Sequence, residues 1–200
     1  MNPFSNCSFI ILSGGKSSRF GSAKYKLLYK NKTFLETLVQ LSIDLSFGET
    51  IISGVTKDTA SEYLPSLVYS EPPKIYYYTD ELENRGPLGG LYTCFKHATY
   101  TTAFVITVDC PSIPSQLIKD VVTSHLQNDS EVTLLQYDTK IDPLIGVYKT
   151  RFSKQIYPVI QESSAPVFRA LDCITYNTYK HDYKLLNINT VSDYDNLLKT

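Results

Sequence analysis

LSGGKSSRFGSAK (residues 12–24) leaves the end of SFIIL (8–12), an uninterrupted apolar run of strand length. Three glycines, Gly14, Gly15 and Gly21, and three cations, Lys16, Arg19 and Lys24, crowd into it. Glycine lets a backbone take positive φ and approach a ligand with no Cβ in the way, so successive N–H groups can be aimed at one anion. Arginine grips two phosphate oxygens at once, and lysine adds a mobile point charge. The stretch therefore reads as a polyphosphate loop at the end of a buried strand, or else as a basic surface loop with no ligand. Two familiar phosphate motifs do not fit. The span from Gly15 to Gly21 is one residue too long for G-x-x-x-x-G-K-[ST] and is followed by Ser22, and G-x-G-x-x-G is absent.

Further strand-length apolar runs occur at 50–53, 75–78, 104–108, 132–137, 144–148 and 185–188. Several are continuously apolar, as in strands covered on both faces. Helical patterns lie between them. Thr33 and Glu36 form a capping-box pair ahead of Leu35, Leu38, Ser42 and Leu45 on one face. Leu88, Leu91, Tyr92 and Phe95 follow core-facing spacing, and Leu117, Ile118, Val121 and Val122 follow Pro114. A weaker helix is expected over 152–161 and a last one after Ser192, while 61–74 reads as a long connection. Alternating strands and helices predict one α/β domain over 1–200, with a mostly parallel central sheet and helices on both faces.

The 200 residues are 42% hydrophobic and 20% charged with a net charge of -1, so no global field draws the chain to nucleic acid or an acidic membrane. No apolar run is long enough for a signal peptide or a membrane span, which leads to the expectation of a cytoplasmic protein. Cys7, Cys94, Cys110 and Cys173 form no C-x-x-C pair and read as reduced core thiols. His97, His125 and His181 lack metal-ligand spacing and are expected at the surface or core edge, away from the strand-end loops. No G-x-S-x-G elbow supports acyl transfer.

Ligands of parallel sheets sit beyond the carboxyl ends of the strands, and the chemistry-bearing residues do follow strands. VDCPSIP (108–114) places Asp109 where a Mg²⁺ ligand that also meets substrate phosphates is wanted, though a turn or capping aspartate would look the same. TDELENRGPLGG (79–90) carries Asp80 and then glycines that lead into a helix N-terminus. Asp142-Pro143 precedes a strand in KIDPLIGVYK (140–149), and Asn187 and Asn189 bracket Ile188 in LLNINT (185–190).

Taken in order, LSGGKSSRFGSAK, TD, GPLGG, VDCP, DPLIGVY and NINT resemble the MobA family of molybdenum cofactor guanylyltransferases over nearly the whole chain. The resemblance implies a Rossmann-like nucleotidyltransferase fold. It also implies transfer of GMP from GTP, with Mg²⁺, to molybdenum-molybdopterin, giving the guanine dinucleotide cofactor and pyrophosphate. Carried over by position, Leu12, Ser13 and Gly14 lie along guanine and ribose, and Gly15 and Arg19 near the phosphates. Lys24 binds the triphosphate, Asp80 the nucleoside, Asp109 the Mg²⁺, and Asn187 and Asn189 the molybdopterin. Arg19, Lys24 and Asp109 are then the catalytic set. A monomer in transient contact with molybdoenzymes or cofactor carriers is expected, with no nucleic acid and no membrane partner.

Three positions depart from the pattern. Ala23 replaces an acidic residue, Ser53 stands where relatives often have a base-reading Asn, and Asp142 where many have His. A related transferase using CTP or another phosphorylated small molecule, and a non-catalytic nucleotide-binding module, remain the alternatives.

Overall fold

The computed structural model describes residues 2–14, 23–64, 67–161 and 164–199. After a 3-10 turn at Pro3–Asn6 comes β1 (Ser8–Leu12), and a second such turn at Lys24–Lys26 precedes the small hairpin β2 (Leu28–Tyr29) and β3 (Lys32–Thr33). There follow α1 (Phe34–Asp44), β4 (Glu49–Ser53), α2 (Lys57–Ser61), β5 (Ile75–Tyr78), α3 (Pro87–His97), β6 (Thr102–Thr107) and α4 (Ser115–Asn128). The chain continues through β7 (Val132–Tyr137), β8 (Lys140–Lys149), α5 (Ser153–Ile160), α6 (Val167–Leu171), β9 (Asn177–His181) and α7 (Val191–Leu197). Seven strands form one sheet in the order β5-β4-β1-β6-β8-β7-β9. β5, β4, β1 and β6 are parallel neighbours, β8 runs antiparallel to both β6 and β7, and β9 is parallel to β7.

β1 shows why the sheet is central. Its alternate side chains feed two separate cores, and all five residues are buried. Phe9 and Ile11 pack with Phe34, Leu35 and Leu38 of α1, Leu117 and Val121 of α4 and Leu197 of α7. Ile10 and Leu12 pack with Leu88 and Leu91 of α3, Ile156 of α5 and Leu171 of α6. Each such side chain removed from water contributes about 1.5–3 kcal/mol, and a period of two serves both faces only if every position is apolar. The expected α/β architecture with helices on both faces is therefore the observed one.

Helix starts follow local chemistry. The Thr33 hydroxyl accepts the Glu36 N–H at 3.0 Å and opens α1 as the sequence suggests. α7 starts at Val191, not after Ser192: Thr190 accepts from the Asp193 N–H, and the Asp193 side chain accepts back from the Thr190 N–H at 2.7 Å. Two other expectations fail. The run 185–188 is not a strand, and the last strand is β9, at Asn177–His181. Ile188 is apolar because it is buried in a connector whose N–H bonds the Asp109 carbonyl at 2.9 Å.

Asp142 lies within β8, not ahead of it. Leu135 pairs with Asp142 but Leu134 with Gly146, so Pro143, Leu144 and Ile145 bulge out of register. Proline has no N–H for the ladder, and the Asp142 carboxylate accepts the Leu144 N–H at 2.9 Å in its place. The five-residue helices α2 and α6 were not legible in the sequence. Cys7, Cys94 and Cys110 are buried as expected, but Cys173 is exposed. His125 is fully buried, not peripheral, and His181 ends a strand.

Candidate active site

The ends of β1, β4, β5 and β6 are laced together beyond their regular ladders. Ser13 N–H donates to Ser53 O at 3.2 Å, Gly54 N–H to Tyr78 O at 3.0 Å and Val108 N–H to Leu12 O at 3.0 Å, and the Ser13 hydroxyl also bonds the Ser53 carbonyl. Gly54 has φ +81°, and a Cβ there would lie 2.5 Å from the Gly14 Cα and N. Glycine at 54 thus lets the loop after β4 support the loop after β1 by direct backbone contact.

These ends open into a cleft of about 780 Å³. Leu12, Ser13, Gly14, Lys24, Ser53, Asp80 and Asp109 all line it, so residues spread from 12 to 109 in sequence share one cavity. Gly15 and Arg19 lie outside the described residues. Asn84, Leu144 and Ser164 also line the cleft. Sequence reading did not single them out: Leu144 is carried there by the β8 bulge, and Ser164 has no local signal at all.

Asp80 lines the cleft. One of its carboxylate oxygens is buried with no hydrogen-bond partner among the described residues. Burial pushes its carboxyl above the ordinary range. The position of Asp80 is fixed by its neighbour Glu81, whose N–H donates to the Thr93 hydroxyl at 3.0 Å and whose carboxylate meets Lys96 and His97, each at 2.8 Å. Lys96 and His97 hold that carboxyl below its usual range. His97, which also stacks on Tyr78 with ring centroids 4.3 Å apart, is therefore tied to the 79–90 loop instead of standing apart from it. Gly90, in the first turn of α3, keeps the floor open, since a Cβ would sit 3.0 Å from Ser53 Oγ and 3.5 Å from Asp80 Oδ1.

Asp109 is the charged centre. Lys24 Nζ is 2.7 Å from its Oδ2 and also donates to Asn189 Oδ1 at 2.8 Å. With its nitrogen turned to the same carboxylate, the orientation Asp109 requires, the Asn187 amide lies 2.9 and 3.0 Å from the two oxygens. Lys24 keeps this position without an acidic residue at 23, so the departure at Ala23 leaves it held by Asp109 and Asn189. Asp142 lies within electrostatic reach: burial raises its carboxyl, the Leu144 N–H acts against that, and the Asp109 charge adds a smaller rise. Cys110, beside Asp109, has its thiol pushed far up by burial and serves as packing, not as a nucleophile.

Among the described residues no group of three or more His, Cys, Asp or Glu could hold a metal alone. A divalent ion nonetheless fits Asp109, because the carboxylate already draws an ammonium and an amide into direct contact. Mg²⁺ commonly needs only one or two carboxylates together with substrate phosphates and waters. The donor set suits an ion delivered with its nucleotide.

A family model described as the MobA-like NTP transferase domain matches residues 9–173. The chain belongs to this family. It is a nucleotidyltransferase. It is 28% identical over 195 residues to a probable molybdenum cofactor guanylyltransferase of Flavobacterium johnsoniae, covering 94% of each chain. The solved molybdopterin-guanine dinucleotide biosynthesis protein A of Archaeoglobus fulgidus shares the fold at TM-score 0.77 and 15% identity, covering 96% of this chain and 97% of that one. A Mycobacterium tuberculosis protein solved in complex with manganese has the same fold at TM-score 0.73 and 14% identity, with 98% of both chains covered. No helix among the described residues is long and apolar enough to cross a membrane.

Proposed function

We propose that this chain is a single nucleotidyltransferase unit, a cytoplasmic monomer that transfers GMP from GTP to molybdenum-molybdopterin and releases pyrophosphate. The observation that carries the reading is the contact of Lys24 with Asp109 and Asn189, which joins the strand-end cleft to the 187–189 segment. The MobA-like family and the guanylyltransferase name of its relatives support the choice of nucleotide and acceptor.

In this reading an acceptor phosphate oxygen attacks the α-phosphorus in line and the bond to the pyrophosphate oxygen breaks. The acceptor is already ionised near neutral pH, so no general base is required. The work of the protein is to position two anions and balance the charge that grows on the leaving group. Leu12, Ser13, Gly14 and Ser53 bound the nucleoside, and the unpartnered Asp80 oxygen accepts from its N–H or O–H groups. Arg19, Lys24 and the Gly14–Gly15 amides hold the phosphates, and Asn187 and Asn189 face the acceptor. Mg²⁺ on Asp109 would neutralise phosphate charge and strengthen the leaving group.

Incubation with Mg²⁺, GTP and a molybdopterin-loaded carrier should give a guanine-containing product, identified by mass, with one pyrophosphate per product. Preference for CTP over GTP would overturn the choice of base, and Asp109→Ala with undiminished metal-dependent turnover would overturn the site. Lys24→Ala should weaken nucleotide binding and turnover by a charge-assisted contact of about 1.5–3 kcal/mol. Unchanged kcat and KM would reject that role for Lys24.

A further inference from the structure

The Asp109 carboxylate already has two side-chain partners in the protein alone. Lys24 Nζ lies 2.7 Å from Oδ2, and the Asn187 nitrogen lies against both oxygens. The pair is largely withdrawn from solvent, with Lys24 and Asp109 side chains 18% and 15% exposed, so screening between them is weak. No further acidic cluster in the described residues could hold a cation in its place.

We infer that Lys24 is an internal stand-in for the divalent cation. Its ammonium keeps Asp109 closed to metal until a triphosphate arrives to draw the lysine away. A free divalent ion approaching Asp109 meets a fixed positive charge in contact with the oxygen it needs. A metal already bound to nucleotide phosphates brings with it the negative charge that gives Lys24 a new partner. The exchange needs no movement of the main chain. Ile188 N–H remains on the Asp109 carbonyl at 2.9 Å, and the Thr190 cap fixes the start of α7. What changes is side-chain partnership: Asn189 Oδ1 loses its ammonium, and the Asn187 amide shares its carboxylate with the incoming ion. Metal and nucleotide therefore bind as one unit, and the Asn189 amide oxygen becomes available to the acceptor in the same event.

The inference rests on the functional reading only in taking a divalent cation and a nucleoside triphosphate as ligands. Its test does not depend on which base or acceptor is used. Free Mn²⁺, followed by electron paramagnetic resonance, should remain unbound by the wild-type chain without nucleotide and become bound when a non-hydrolysable GTP or CTP analogue is added. Lys24→Met, with the charge removed and the length kept, should bind Mn²⁺ without nucleotide roughly tenfold or more tightly than wild type. Lys24→Gln gives the same readout if the Met variant does not fold, and Lys24→Arg should behave as wild type. Adding Asp109→Asn to Lys24→Met should abolish the gained binding. Equal nucleotide-free Mn²⁺ binding by wild type and both neutral variants would overturn the inference, as would a gain that survives Asp109→Asn. Neither result would touch the assignment of GTP or of the acceptor, which the product assay decides.

Discussion

Gly54→Ala tests whether the loop after β4 really supports the phosphate-side loop. The new Cβ would sit 2.5 Å from two Gly14 backbone atoms and 3.3 Å from the Ser13 carbonyl carbon. Ordinary contact begins near 3.4 Å, so the two loops must separate by roughly 1 Å, and backbone atoms cannot rotate aside as a side-chain tip would. Overpacking of this kind costs about 1–3 kcal/mol. Alanine at φ +81° adds about 1–2 kcal/mol, offset by about 0.4–1 kcal/mol because the unfolded chain has less freedom to lose. The expected net loss is about 1–4.6 kcal/mol of unfolding free energy, read by urea denaturation. A misplacement of about 1 Å in the Ser13–Gly14 backbone should also lower kcat/KM by roughly a hundredfold. Gly14→Ala is the internal control: its Cβ would meet the Gly54 Cα at 3.7 Å, an ordinary contact, and should change stability by no more than about 0.5 kcal/mol. If Gly54→Ala stays within that same margin with unchanged kcat/KM, the support argument is wrong.

Gly90→Ala should leave stability unchanged or raise it by up to about 1 kcal/mol through helix propensity. Its Cβ, 3.0 Å from Ser53 Oγ and 3.4 Å from Leu12 Cδ2, should weaken nucleotide binding about tenfold by calorimetry, and an unchanged Kd would show that the ligand does not use this floor. Removing divalent metal with a chelator should stop turnover, and restoring Mg²⁺ should recover it; full activity after chelation would exclude a metal at Asp109. His125, buried against Thr133 at 3.0 Å, has its imidazole pushed down from 6.5 to about 4 by burial, with Lys149 adding to the effect. The unfolded chain therefore binds a proton that the folded chain refuses, so stability should fall as pH drops through that window, by about 3 kcal/mol in all, and level off below it. Asp80 and Asp142, raised by burial, act in the opposite sense, so the decisive measurement is the pH slope of wild type minus that of His125→Leu; identical slopes would exclude His125 as the source.

The local sequence determined most of the sheet and the loops that serve it. SFIIL could only be a strand buried on both faces, and the glycines and Asp109 at strand ends marked the rim where a ligand would sit, because these features depend on backbone sterics and a period of two. Where local and tertiary causes of the same residue type overlap, the sequence misled. LLNI looks like a strand because Leu185 and Ile188 are apolar, but only the packed fold shows that they line a connector held to Asp109. The reversal of β8, its bulge at Pro143 and the short helices α2 and α6 depend on neighbours far along the chain. The meeting of Lys24 with Asp109, 85 residues away, and with Asn189, 165 away, has no local signature. Side-chain types specify what each loop can do, whereas the crossovers of the sheet decide which loops share a cleft. Contact between distant residues is set by chain topology, which local preferences constrain but do not contain.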